Sequence, residues 1–197
     1  ATFKPKPVLL AFFDGFGLYP IRAHNAWALA RTPHLDHYFS SSPLTVLQAS
    51  GSAVGLPDGQ FGNSEVGHLT LGSGRVLEQD LVRIANAIYD GRFAGLPAWQ
   101  AMLADCQRLH LVGLVSDGGV HSHIEHLLGI LELLRQTDVE PVIHMVTDGR
   151  DTAPRAALNY LDEVEAALAE LGRGRVATVT GRYCAMDRAR HWDRTLR

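Results

Sequence analysis

The sequence predicts an α/β protein built on a parallel sheet, and observations of two kinds carry that reading. Apolar runs that stop at Gly or Asp alternate with stretches of helical periodicity, the rhythm of strands buried beneath crossover helices. The alternation is cleanest from Leu109 to Thr180, where strands and helices follow in turn with cap and stop residues at the joints.

Taken in order, Val8 to Phe13 reads as a buried strand that stops at Asp14-Gly15-Phe16-Gly17, and Thr45 to Leu47 as a second, weaker one. Gly72-Ser73-Gly74 reads as a flexible break and the boundary between a first unit, 1–75, and a second, 76–197. In the second unit Leu109 to Val115, Val142 to Val146 and Val176 to Thr180 are the expected strands. The helix after the first of these carries Ile124, Leu127, Leu128, Leu131 and Leu134 on one face, and Ser122 with Glu125 has the form of a capping box that starts it at Ser122. The next helix carries Leu158, Leu161, Val164, Leu168 and Leu171, with Pro154 in its first turn and Gly172 just past its end.

With 197 residues, 46% hydrophobic and 20% charged, the chain has apolar material for one good core or two small ones. A net charge of -3 and a pI near 6.4 give no basic field, so no nucleic-acid partner is expected. The longest apolar stretch, Pro7 to Phe13, is far shorter than the roughly 20 residues of a spanning helix, and Ala1 to Pro7 has no signal-peptide layout. The expectation is a cytoplasmic protein without a membrane partner. Cys106 and Cys184 suit buried thiols better than a disulfide framework or a metal pair.

Right-handed crossovers make the strands parallel and bring their C-terminal ends to one edge of the sheet. The loops expected to meet there are Ser116 to His123, Thr147 to Asp151, and Gly181-Arg182 running on to Asp187-Arg188. Arg150 and Arg182, with Arg188 as a candidate third, and His121 at a helix N-terminus suit an anion that carries phosphate and carboxylate.

Asp14 stands where a strand meets a Gly-rich turn, either as a metal or catalytic carboxylate or as a turn-forming Asp before Gly. Ser64 lies in Gly62-Asn63-Ser64-Glu65-Val66-Gly67-His68, which is no Gly-x-Ser-x-Gly elbow. It reads either as a nucleophile activated by a metal or as a helix cap. His68 orients Ser64 or caps a turn. His121, His123 and His126 are either a metal cluster or, the better fit, an anion ligand with two packing or capping neighbours.

These residues together resemble the cofactor-independent phosphoglycerate mutases of the alkaline phosphatase superfamily. The resemblance rests on Asp14-Gly15-Phe16-Gly17, Ala49-Ser50-Gly51, Val54-Gly55-Leu56-Pro57, Gly62 to His68, Gly72-Ser73-Gly74-Arg75 and Gln79-Asp80-Leu81. It continues through Ser116 to His123, Asp148-Gly149-Arg150-Asp151-Thr152, Gly181-Arg182-Tyr183, Ala185-Met186-Asp187-Arg188 and Trp192-Asp193-Arg194, all in order over nearly the whole chain. One small departure, His24 before Asn25-Ala26-Trp27-Ala28, is a packing change.

The resemblance implies an alkaline-phosphatase-like metal domain interrupted by an inserted α/β substrate-binding domain, with the first segment of the former and part of the latter present. It implies that Ser64 becomes phosphoserine, that Asp14 and Ser64 hold one of two divalent ions, usually manganese, and that His121, Arg150, Asp151, Arg182 and Arg188 bind substrate. The implied activity interconverts 3-phosphoglycerate and 2-phosphoglycerate without free bisphosphoglycerate, in a full-length protein expected to be a monomer. Relatives continue for more than the same length again, so the later metal ligands are missing and the chain alone is expected to be inactive. The alternatives are a phosphatase, sulfatase or phosphopentomutase of the same superfamily, or a non-catalytic phospho-ligand module.

Overall fold

The structure is a computed structural model that describes residues 6–16, 19 and 21–196; Gly17 of the first expected turn lies outside the described residues. In chain order come α1 (Ala26–Leu29), α2 (Pro33–Ser41), a 3-10 turn (Gly51–Val54), α3 (Ser64–Ser73), α4 (Asp80–Tyr89) and α5 (Pro97–Ala104). Then follow β1 (Arg108–Val115), α6 (Ile124–Leu133), a 3-10 turn (Leu134–Gln136), β2 (Glu140–Thr147), α7 (Ala157–Leu171), β3 (Arg175–Gly181), α8 (Arg182–Ala185) and α9 (Trp192–Thr195). No helix among the described residues is long and apolar enough to cross a membrane.

The three expected strands of the second half form one parallel sheet in the order β1-β2-β3. Val115 pairs with Thr147 and Thr147 with Gly181, so the strands finish level and their following loops leave from one edge. A register shift at Ile143/His144 makes Ala177 the extra residue of β3 and leaves the alignment at that edge intact.

One face of the sheet is covered. Leu109, Ile143 and Met145 meet Ile124, Leu131 and Leu134 from the α6 region and Tyr160, Val164 and Leu168 from α7. Leu134 and Val164 are fully buried, each such side chain contributing about 1.5 to 3 kcal/mol. The opposite face carries His110, His144 and Val112, the last 74% exposed. A smaller cluster of Val54, Leu56 and Val66, with Leu81 against it, anchors α3 to the start of α4.

Several expectations are corrected by the structure. Val8 to Phe13 and Thr45 to Leu47 form no strand, because neither has a hydrogen-bonded neighbour among the described residues. Their apolar side chains stand open, Val8 at 95% and Val46 at 75% exposure. Helix α6 is capped by His123, whose Nδ1 accepts from the Glu125 amide, and not by Ser122, whose hydroxyl turns back to donate to the Leu114 carbonyl at the end of β1. Pro154 precedes α7 in a separate turn, and Leu158 faces solvent. Gly172 ends α7 as expected, in a left-handed conformation with its N–H on the Leu168 and Ala169 carbonyls. Gly72 and Ser73 are the last turn of α3, closed by a left-handed Gly74. Both cysteines are free and half-buried rather than buried.

Candidate active site

Two groups of side chains are assembled from distant parts of the chain. The first lies at the start of α3. Asn63 caps this helix, its side-chain oxygen accepting from the Val66 amide at 3.0 Å. The Ser64 hydroxyl is thereby free of the capping role open to it in the sequence, and it donates to Asp14 Oδ2 at 2.6 Å across 50 residues. His68, one turn further along α3, places Nδ1 2.6 Å from the Ser64 carbonyl oxygen and 3.2 Å from Ser64 Oγ. Phe12 lies against the His68 ring at 4.5 Å between centroids. Asp14, Ser64 and His68 are all exposed.

The loop leading into this group is fixed by close backbone approach. Gly55 has a φ of +78°, and a Cβ there would fall 1.9 Å from the Leu77 carbonyl oxygen. Gly62 leaves no more space, a Cβ meeting the Ala49 carbonyl oxygen at 1.9 Å.

The second group sits at the level C-terminal edge of the sheet, where the loops after β1, β2 and β3 converge. Asp148, its side chain 1% exposed, accepts from Ser116 Oγ at 2.7 Å, from the amides of Arg150 and Asp151 at 3.0 Å each, and from Arg182 Nη1 at 2.8 Å. Burial works to raise the Asp148 pKa. The Ser116 hydroxyl, the two amides and the Arg182 guanidinium outweigh it and hold the carboxyl at about 2. Arg182 Nη1 also reaches Asp151 Oδ2 at 2.6 Å, and Nη2 lies 3.2 Å from His121 Nε2. A guanidinium only donates, so His121 accepts through Nε2 and carries its proton on Nδ1. Burial acts to lower the Arg182 pKa, but Asp151 and Asp148 hold it above its ordinary value.

The structure thus brings His121, Asp151 and Arg182 into direct contact and Asp14 into contact with Ser64. Arg150 lies in the Asp148 turn and Arg188 beyond α8; both are exposed, and among the described residues neither side chain makes a hydrogen bond or ion pair. The alternative of a three-histidine metal cluster is overturned, because the rings go to different partners. His121 faces Arg182, His123 caps α6, and His126 Nε2 is 3.0 Å from the Leu81 carbonyl. Burial depresses the His126 pKa, with the Leu81 carbonyl partly offsetting it. No group of three or more His, Cys, Asp or Glu among the described residues is placed to hold a metal ion. Asp14 and Ser64 offer two adjacent oxygen donors of the hard type that divalent cations prefer, which fits part of an ion's shell and not the whole.

Four residues that complete this arrangement had no role assigned from sequence. Asp148 and Ser116 are the buried partners of Arg182, and Asn63 caps α3. Gln60 joins the two groups, its Nε2 donating to the Gly118 carbonyl at 2.8 Å. A cleft of about 510 Å³ is lined by Asn63 and Glu65, by Gly119, Val120 and His121, and by the start of α4. The Asp148 turn carried a readable signal, since an Asp preceding two free amides forms such a turn. Gln60 carried none, because its partner is 58 residues away.

Fold and site together define an α/β protein with its polar machinery at the C-terminal edge of a parallel sheet, beside an ordered serine and carboxylate. A family model described as BPG-independent PGAM N-terminus matches residues 84–197, and the chain belongs to that family. It is 52% identical over 195 residues to the 2,3-bisphosphoglycerate-independent phosphoglycerate mutase of Symbiobacterium thermophilum, covering 96% of this chain and 38% of the relative. The Clostridium beijerinckii protein of the same name is 50% identical over 194 residues, with the same coverage. A crystal structure of Leishmania mexicana phosphoglycerate mutase at low cobalt concentration matches with a TM-score of 0.74 and 34% identity, over 86% of this chain and 33% of that one. The chain therefore spans less than two fifths of the length of these relatives.

Proposed function

We propose that this chain is the N-terminal part of an enzyme that interconverts 3-phosphoglycerate and 2-phosphoglycerate through a phosphoserine at residue 64. The observation that carries the reading is the hydrogen bond of Ser64 to Asp14, with the Gln60 contact tying that loop to the Arg182 pocket. The family membership and the names of the relatives support it.

In this reading Ser64 Oγ is the nucleophile and Asp14 orients it. His121, Arg150, Asp151, Arg182 and Arg188 grip the phosphoglycerate. Arg182 is held by Asp148 and Asp151 before substrate arrives, so little side-chain freedom is lost on binding. Exposed Arg150 and Arg188 bring charge that no protein carboxylate neutralises among the described residues. Retention of the glycerate by these groups separates a mutase from a phosphatase.

Asp14 and Ser64 would hold a divalent ion, manganese by the resemblance and one of a pair, whose chemistry there is to neutralise charge on the serine oxygen. The remaining ligands belong to the further length that the relatives possess, and the chain by itself does not turn over. Residues 1–75 form the first segment of the metal-binding domain and 76–197 part of the inserted one. The complete protein is a cytoplasmic monomer that needs no bisphosphoglycerate.

Ser64→Ala in the full-length protein tests the reading. Phosphoryl transfer should vanish while 3-phosphoglycerate still binds, and substantial turnover by the variant would remove Ser64 as nucleophile.

A further inference from the structure

We infer that His68 is a further catalytic residue, whose Nδ1–H is a fixed hydrogen-bond donor to the oxygen of Ser64. The catalytic part rests on the proposed phosphoserine chemistry; the hydrogen bond does not.

The geometry assigns the proton. His68 Nδ1 is 2.6 Å from the Ser64 carbonyl oxygen, an atom that only accepts, so in the neutral ring the hydrogen sits on Nδ1 and Nε2 is bare. The same N–H lies 3.2 Å from Ser64 Oγ. Ser64 spends its own hydrogen on Asp14 Oδ2 at 2.6 Å, so the lone pairs of Oγ are left to accept. One N–H is therefore shared between the carbonyl and the hydroxyl oxygen of a single residue. Two features hold the imidazole in place. The spacing of four residues along α3 stacks it over Ser64, and Phe12 packs against its ring at 4.5 Å.

Because Nδ1 already carries a hydrogen, His68 does not take the Ser64 proton there. It acts as a donor that favours the charged oxygen, as in an oxyanion hole. As Oγ bonds to phosphorus, the phosphorus bond to the glycerate oxygen breaks and that oxygen leaves with the bonding pair. The hydrogen of Oγ passes to Asp14 Oδ2, which already accepts it at 2.6 Å, and from there to the departing glycerate oxygen, so no proton is gained or lost. His68 keeps its own hydrogen throughout.

Two measurements test the inference. In this chain, long-range proton-nitrogen NMR of 15N-histidine-labelled protein, recorded at a pH where the imidazoles are neutral, should show the His68 hydrogen on Nδ1; a hydrogen on Nε2 overturns the inference. In the full-length protein His68→Asn, whose side-chain N–H replaces Nδ1–H, should keep kcat within about threefold. His68→Gln, which imitates Nε2, and His68→Ala should lower kcat about tenfold to a hundredfold with KM nearly unchanged. Equal losses in all variants, or losses confined to KM, contradict the donor role. A full-length protein without mutase activity, together with the Nδ1–H form, refutes the functional reading and upholds the hydrogen bond.

Discussion

Replacing Asp148 by Asn removes the charge on which the Arg182 pocket is built. The magnitude follows from the shift of this carboxyl from 3.8 to about 2 in a side chain that is 1% exposed. At about 1.4 kcal/mol per tenfold change in proton affinity, the ionised form contributes roughly 2.5 kcal/mol at neutral pH. The sign is that of a depressed acid. The contribution is complete above the unfolded-state value of 3.8 and is lost as the pH falls through about 2. Urea unfolding of the chain and of Asp148→Asn should therefore differ by about 2.5 kcal/mol at pH 7 and by only about 0.8 kcal/mol at pH 2.5. The variant should lack the acid-side slope that the parent shows between those conditions. A gap of the same size at both pH values, or none at pH 7, would refute the claim that an ionised, multiply hydrogen-bonded Asp148 holds the three loops together.

Arg182→Ala in the full-length protein should weaken 3-phosphoglycerate binding about tenfold to a hundredfold by calorimetry, with a smaller effect on kcat; unchanged affinity removes Arg182 from the pocket. Gly55→Ala must place a methyl group 1.9 Å from the Leu77 carbonyl oxygen at a φ of +78°. It should cost at least about 2 kcal/mol in urea unfolding of this chain, and a neutral effect would mean that the loop before Ser64 is free to move.

The sheet was legible because its strands and helices announce themselves locally. Leu109 to Val115, Val142 to Val146 and Val176 to Thr180 each match an observed strand to within two residues at either end. Gly172 stops α7 for a reason contained in the residue itself. Convergence of the loops followed from topology alone, and with it the meeting of His121, Asp151 and Arg182. Val8 to Phe13 failed as a strand because pairing depends on a neighbour, which no local pattern supplies. Ser122 failed as a cap because the β1 carbonyl of Leu114 competes for its hydroxyl. The contact of Gln60 and the grip of Asp148 on Ser116 and Arg182 were hidden for a related reason, since those partners lie 30 or more residues away. The resemblance reached Ser64 and Asp14 through their motifs, but only the fold could show the two oxygens 2.6 Å apart.

The most direct trial is rapid acid quenching of the full-length enzyme during turnover of 3-phosphoglycerate, followed by peptide mass spectrometry. A covalent phosphate should appear on the serine between Asn63 and Glu65 and vanish when substrate is exhausted and removed. Interconversion of the two phosphoglycerates with that serine never phosphorylated, or with the label on another residue, would contradict the account.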